Sequence, residues 1–204
     1  PNYTKNILHI KSQYNTIGII GIYETLQKFG MTEKDEFGYS TYTDEGIEFA
    51  KEILKAINEV KDEYASITDY SINIEEIPAE RAAAVLMQKD QFFYPNEAYE
   101  LPLYGNQWIP LGVKTSLQER VHLCAELDKA CNGGSILHAG IDKPFANFDI
   151  AWKMLNYIAD SGVPYFAFCT RISACENNHG FYGETCPVCG KPKVTTYQRI
   201  VGLN

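Results

Sequence analysis

Apolar residues recur at helical spacing along much of the chain, and shorter alternating or continuous apolar runs separate those stretches. Residues 12–29 read as helical in their C-terminal half, with Ile19, Ile22, Tyr23, Leu26 and Phe29 on one stripe and Gly30 as the C-cap. Gly18 and Gly21 weaken that helix locally and suit either a tight helix crossing or a close approach of backbone or ligand. The strongest helical repeat runs over 44–63 through Ile47, Ala50, Ile53, Leu54, Ile57 and Val60, opened by Asp44 and Glu45 where the helix dipole favours acids. DYSINIEEI (69–77) alternates as a strand does, and Pro78 is placed for the first turn of a helix over 79–93. Residues 94–114 hold prolines, glycines and tyrosines without a period and predict an irregular, ordered loop.

Thr115, with Gln118 three residues on, forms a capping box for a helix whose apolar face is Leu117, Val121, Cys124 and Leu127. That face makes Cys124 a core residue. Asn132-Gly133-Gly134 stops the helix, SILHAGI (135–141) reads as a strand, and 148–162 as a helix ending on glycine. The mostly apolar run 163–171 predicts a strand covered on both faces. Helices alternating with strands give an α/β architecture. His138, inside a strand, is read as a core histidine, His122 carries no role, and Trp108 and Trp152 are read as packing.

Composition narrows the function classes. The chain has 204 residues, enough for one domain or one domain and a small module, and 45% of them are hydrophobic. A formal net charge of −8 argues against a nucleic-acid or membrane-surface partner, because phosphate binding needs a basic face. No apolar run approaches the ~20 residues that span a bilayer. The first residue, Pro1, leads us to expect that the natural N-terminus lies further upstream.

The six cysteines are Cys124, Cys131, Cys169, Cys175, Cys186 and Cys189, a spacing too uneven for a disulfide scaffold and better suited to a reducing cytosol and a metal. CPVCG (186–190) is a knuckle that presents two thiolates to one tetrahedral ion, with a glycine for the turn. Cys175 and His179 form the second half as C-x₃-H, with Cys169 as the substitute ligand if His179 is not used. Sulfur and imidazole donors select zinc over calcium or magnesium. A redox CxxC is the rival, but such a pair usually opens a helix, and Pro192 and VTTY do not continue as one. Four protein ligands make a closed, structural site.

The C-x₃-HGF…CPxCG ribbon followed by Arg199-Ile200-Val201-Gly202 resembles the C-terminal part of the anaerobic (class III) ribonucleoside-triphosphate reductases. NTIGIIGIYETLQKFG, INIEEIPAERAAAVLMQKDQFFYPN, LPLYGNQWIPL and NGGSILHAGIDKP look like the same family in the same order, so the resemblance covers most of the chain. It implies part of a ten-stranded glycyl-radical-enzyme α/β barrel over 1–171, a zinc ribbon over 172–193 and a radical arm over 194–204. It also implies an oxidoreductase of the cytoplasm that supplies deoxyribonucleotides for DNA replication by reducing ribonucleoside triphosphates. Its cofactors are structural zinc and a glycyl radical at Gly202, installed by an iron–sulfur, S-adenosylmethionine-dependent activating enzyme. Formate or a thioredoxin-like system is the reductant. Glycine suits a backbone Cα radical because a planar centre has no room for a Cβ. Tyr104 would line the substrate pocket and Asn106 would orient ribose or reductant, although Asn106 equally suits a structural cap of its loop.

The pattern also departs from the family. No cysteine here matches the finger-loop cysteine that receives the radical, an N-terminal nucleotide-binding domain and the first half of the barrel are not in these residues, and only Leu203-Asn204 follow Gly202. The sequence therefore predicts a C-terminal fragment, inactive alone, whose exposed sheet edges associate with a missing half or with another copy. The alternatives are a non-enzymatic zinc-ribbon interaction module and a spare part that docks onto a damaged reductase.

Overall fold

A computed structural model describes residues 4, 5, 7–141 and 143–197. The chain opens with β1 (Tyr14–Gly18) and α1 (Ile22–Lys28), followed by a hairpin of β2 (Thr32–Lys34) and β3 (Ser40–Tyr42). The long α2 (Asp44–Thr68) leads into β4 (Ser71–Glu75) and α3 (Glu80–Phe93). After the irregular loop come α4 (Leu117–Leu127), a 3₁₀ turn at Asp128–Ala130, β5 (Leu137–Ile141), α5 (Phe148–Asp160) and β6 (Phe166–Thr170). Three short strands close the described chain: β7 (Ile172–Ala174), β8 (Gly180–Phe181) and β9 (Thr195–Tyr197).

Two parallel strand pairs carry the body. β1 pairs with β4 from Tyr14↔Ser71 to Gly18↔Glu75, and β5 pairs with β6 from Leu137↔Phe166 to Ile141↔Thr170. Parallel neighbours need a crossover, which α2 and α5 supply. A bridge between Glu75 and Gly134 ties the two pairs together, reinforced by Gly133 N–H to Ile74 O at 2.7 Å. α2 packs on β4 and α4 on β5. Tyr23, Leu26, Leu54, Ile74, Ile109, Leu123, Leu127, Leu137 and Ile158 are fully buried in one core between helices and strands. Among the described residues no helix is long and apolar enough to cross a membrane.

Local chemistry accounts for most element ends. Thr43 Oγ1 accepts from Gly46 N–H at the start of α2, and Asn147 Oδ1 accepts from Ile150 N–H at the start of α5, each satisfying a donor that the helix cannot. Gly30 is left-handed at φ 72°, with Gly30 N–H bonding Gln27 O and Met31 N–H bonding Leu26 O. Those two bonds form a Schellman stop, with Phe29 as the cap and Gly30 just beyond it.

Several expectations shift. Residues 14–18 are strand, and α1 starts only after Gly21, which stands at φ 80° as its N-cap. The stripe holds for the buried Ile19, Ile22, Tyr23 and Leu26, whereas Phe29 is exposed. Ser116, not Thr115, caps α4 by accepting from Glu119 N–H at 3.0 Å, and the Glu119 carboxylate accepts from the Thr41 hydroxyl. Pro78 lies ahead of the N-cap Ala79 instead of within the helix. The β2–β3 hairpin carries no strong alternation and depends on Asp35, whose carboxylate accepts from Phe37 and Tyr39 N–H. β6 is half-buried along its whole length, not covered on both faces. Trp152 is half exposed and stacks on the exposed Phe148 with ring centroids 5.9 Å apart, whereas Trp108 is buried.

Candidate metal centre and the adjoining loop

β7, β8 and β9 form a separate antiparallel sheet in the order β8-β7-β9. Its small core is Cys175, Phe181 and Cys186, with Cys189 packed against it. Two tight turns present the ligands. In the first, Asn178 N–H bonds Cys175 O at 2.9 Å and Cys175 N–H bonds His179 O at 3.3 Å, with Asn178 left-handed at φ 58°. In the second, Cys186 N–H bonds Lys191 O at 2.8 Å and Gly190 N–H bonds Cys186 O at 2.9 Å. Gly190 adopts φ 70°, a conformation that a Cβ disfavours. Lys191 pairs with Glu176, and Lys193 with Glu184 at 2.7 Å, across the outside of the ribbon.

These turns bring Cys175, His179, Cys186 and Cys189 together, with all four ligand atoms within 4.8 Å of one another. Cys175 Sγ lies 3.7 Å from Cys189 Sγ, and Cys186 Sγ lies 3.5 Å from His179 Nδ1. A tetrahedral zinc ion with Zn–S near 2.3 Å and Zn–N near 2.0–2.1 Å requires S···S edges of about 3.8 Å and S···N edges of about 3.6 Å. The set therefore fits a zinc-sized tetrahedral ion. It does not fit a disulfide, whose sulfurs stand ~2.05 Å apart. Cys169 lies elsewhere, on β6, with its sulfur 3.3 Å from Nδ1 of the buried His138 on β5. Cys124 and Cys131 are buried in the main core, where burial pushes both thiols up, Cys131 to about 12.

The loop before α4 is held from below. Gly105 N–H donates to Glu24 Oε1 at 2.9 Å, and Tyr104 donates its hydroxyl to Asp90 while its ring packs over Gly21. Tyr104 also lines a cavity of about 100 Å³ with Glu24, Gln27, Lys28, Tyr99 and Glu100. Burial pushes the Glu24 carboxyl up to about 7. Asn106 is buried beside Gln107, whose amide nitrogen donates to Glu76 Oε2 at 3.1 Å and to Ile136 O at 2.8 Å. Gln107 Oε1 in turn accepts from His138 N–H at 3.1 Å. Glu24, Glu76 and Gln107 carry no motif, and only tertiary contact marks them out. Gly202, with Arg199, Ile200 and Val201, lies outside the described residues.

A parallel α/β body joined to a small ribbon whose Cys/His set is spaced for a metal ion defines an enzyme-like domain, and the comparisons identify its family. The family described as "Anaerobic ribonucleoside-triphosphate reductase" matches residues 2–203. The chain belongs to that family. It is 40% identical to a solved "Anaerobic ribonucleotide reductase", with a TM-score of 0.86, covering 98% of this chain and 31% of that one. The reductase from Thermotoga maritima in complex with dATP and CTP is 41% identical, with a TM-score of 0.84, covering 99% of this chain and 33% of that one. The same enzyme with dATP bound in the specificity site gives 40% identity and a TM-score of 0.84. The chain thus spans about a third of the solved structures that it matches. No curated protein matches.

Proposed function

We propose that these residues form the radical-bearing part of an anaerobic reductase that converts ribonucleoside triphosphates to 2′-deoxyribonucleoside triphosphates, with Gly202 as the radical site. Family membership supports the reaction class, and a neighbour solved with dATP and CTP supports nucleotide ligands. The parallel pairs β1–β4 and β5–β6 are part of the wall of a ten-stranded barrel, in the cytoplasm.

The observation that carries the reading is the attachment of the arm. β9 pairs with β7 from Ile172↔Tyr197 to Ala174↔Thr195, and Cys175, the next residue after β7, is a member of the metal set. A zinc ion held by Cys175, His179, Cys186 and Cys189 supplies a four-point crosslink and no open position for substrate. The ribbon then fixes Tyr197, and Gly202 follows within five residues, a reach of at most ~18 Å. Thus the ribbon positions the glycine, while the β-branched Thr195 and Thr196 keep the approach extended. On the body, Asp90 holds the Tyr104 hydroxyl so that the ring lines the substrate side, and Asn106 orients the bound sugar or reductant.

The partners are a ribonucleoside triphosphate, formate or a thioredoxin-like reductant, the activating enzyme and the rest of the barrel. Because none of the six cysteines matches the radical-receiving position, the 204 residues alone do not turn over substrate. Anaerobic treatment with the activating enzyme and S-adenosylmethionine tests the proposal. Electron paramagnetic resonance should show an organic radical in the wild type and none in Gly202→Ala. An equal signal in Gly202→Ala would overturn it.

A further inference from the structure

Cys169 and His138 meet outside the ribbon and away from the helix-covered core. Strand side chains alternate between the two faces of a sheet. Leu137 and Ala139 of β5 are buried in the main core, and Phe166 and Phe168 of β6 pack against it. His138 and Cys169 therefore turn to the opposite face. The register sets Cys169 beside Gly140, which has no side chain, and the sulfur lies 3.3 Å from Nδ1 of His138 on the diagonal. The His138 backbone N–H is held by Gln107 Oε1 at 3.1 Å, which fixes the strand that carries the imidazole.

This thiol differs from the other five. Cys124 and Cys131 are buried in the main core, where burial raises both thiols and keeps them protonated at neutral pH. Cys175, Cys186 and Cys189 are gathered with His179 in the ribbon. Cys169 is half-buried, and Gly140 beside it is exposed. A Cβ built on Gly140 would meet nothing within 4 Å, so space lies open next to the sulfur on that face. The pair thus has a nucleophile, a base within hydrogen-bonding reach and an approach.

We propose that His138 and Cys169 form a nucleophilic thiol site that exchanges with the disulfide of a small thiol. The imidazole takes the thiol proton at Nδ1 and leaves a thiolate beside an imidazolium, the setting in which a cysteine is reactive. The thiolate attacks one sulfur of the incoming disulfide. An S–S bond to Cys169 forms, the original S–S bond breaks, and the second sulfur leaves as a thiolate with the electron pair. Cys169 is oxidised, the leaving half is reduced, and the imidazolium can return the proton to it. Exchange needs only a thiolate and an open approach, whereas acyl transfer would also need donors aimed at an oxyanion. The mixed disulfide persists until a second small thiol removes it, because Cys124 and Cys131 lie in the core on the other face of β5. The site needs neither the radical nor a nucleotide, so it stands apart from the reductase reading.

Glutathione disulfide, incubated anaerobically with the zinc-loaded full chain at neutral pH, tests this by intact mass and peptide mapping. The expected result is one glutathionyl group per chain, carried by Cys169, and none in Cys169→Ser. His138→Gln should slow the reaction about tenfold, because the sulfur loses its base. Gly140→Val fills the approach and leaves the pair in place, and should slow it about threefold. Circular dichroism confirms that each variant is folded, and if His138→Gln does not fold, Gly140→Val and the position of the adduct decide. No adduct, an adduct on another cysteine in place of Cys169, or an unchanged rate in the folded variants would overturn the site.

Discussion

Replacing Glu24 with Gln should change the pH dependence of stability in a calculable way. Glu24 sits in the first turn of α1, with one oxygen on Gly105 N–H at 2.9 Å and the other buried without a partner. Burial is the main cause that pushes its carboxyl from 4.5 up to about 7. The backbone N–H groups of Gly105 and Glu24 pull it down, and the charge on Glu100 adds to the rise. In the unfolded chain the group titrates near 4.5. Below that pH both states hold the proton and ionisation carries no cost. Between 4.5 and about 7 the unfolded state gives up its proton while the folded state keeps it, so stability falls as pH rises, and above about 7 the full cost is present. At 1.36 kcal/mol per pH unit the gap amounts to about 3 kcal/mol. Glu24→Gln keeps the acceptor for Gly105 and removes the charge. Relative to wild type it should therefore be about 3 kcal/mol better at pH 8 than at pH 4.5, whatever constant offset the amide introduces. Urea unfolding of both proteins at the two pH values measures this. A variant-to-wild-type difference that is the same at pH 4.5 and pH 8 would refute the reasoning.

Metal analysis of purified protein should find one zinc per chain, lost in Cys175→Ser or Cys186→Ser and kept in Cys169→Ser; loss in Cys169→Ser would move the site to β6. Ser116→Ala should destabilise the chain by about 1 kcal/mol in denaturant unfolding, because Glu119 N–H loses its acceptor, while Thr115→Ala should not show a loss of helix cap. Sedimentation of the 204-residue chain should show self-association that rises with concentration, driven by the exposed Phe148, Trp152 and Leu155 face of α5; a monomer throughout would count against that face as an interface.

The sequence made helices legible where one face repeats over many turns. α2 was expected over 44–63 and continues to Thr68, and the apolar side of α4, with Val121, Cys124 and Leu127, is buried as its spacing requires. It assigned nothing to residues 14–18, which pair as a parallel strand with β4, a partner more than fifty residues away. It was silent on β2 and β3, whose turn rests on one aspartate. The four-ligand set was readable because metal ligation imposes short, regular spacings on cysteine and histidine. Glu24, Glu76 and Gln107 were not, because their contacts depend on long-range packing that leaves no local pattern.

The central claim joins the ribbon to Gly202, and isotope labelling tests it most directly. A glycyl Cα radical keeps one α-hydrogen, whose coupling splits the resonance into a doublet. Protein grown with α-deuterated glycine and activated anaerobically should show that doublet collapse to a single line, and Cys186→Ser, which disrupts the metal set, should lose most of the signal. A doublet unchanged by deuteration, or a full signal in Cys186→Ser protein shown to lack zinc, would contradict the account.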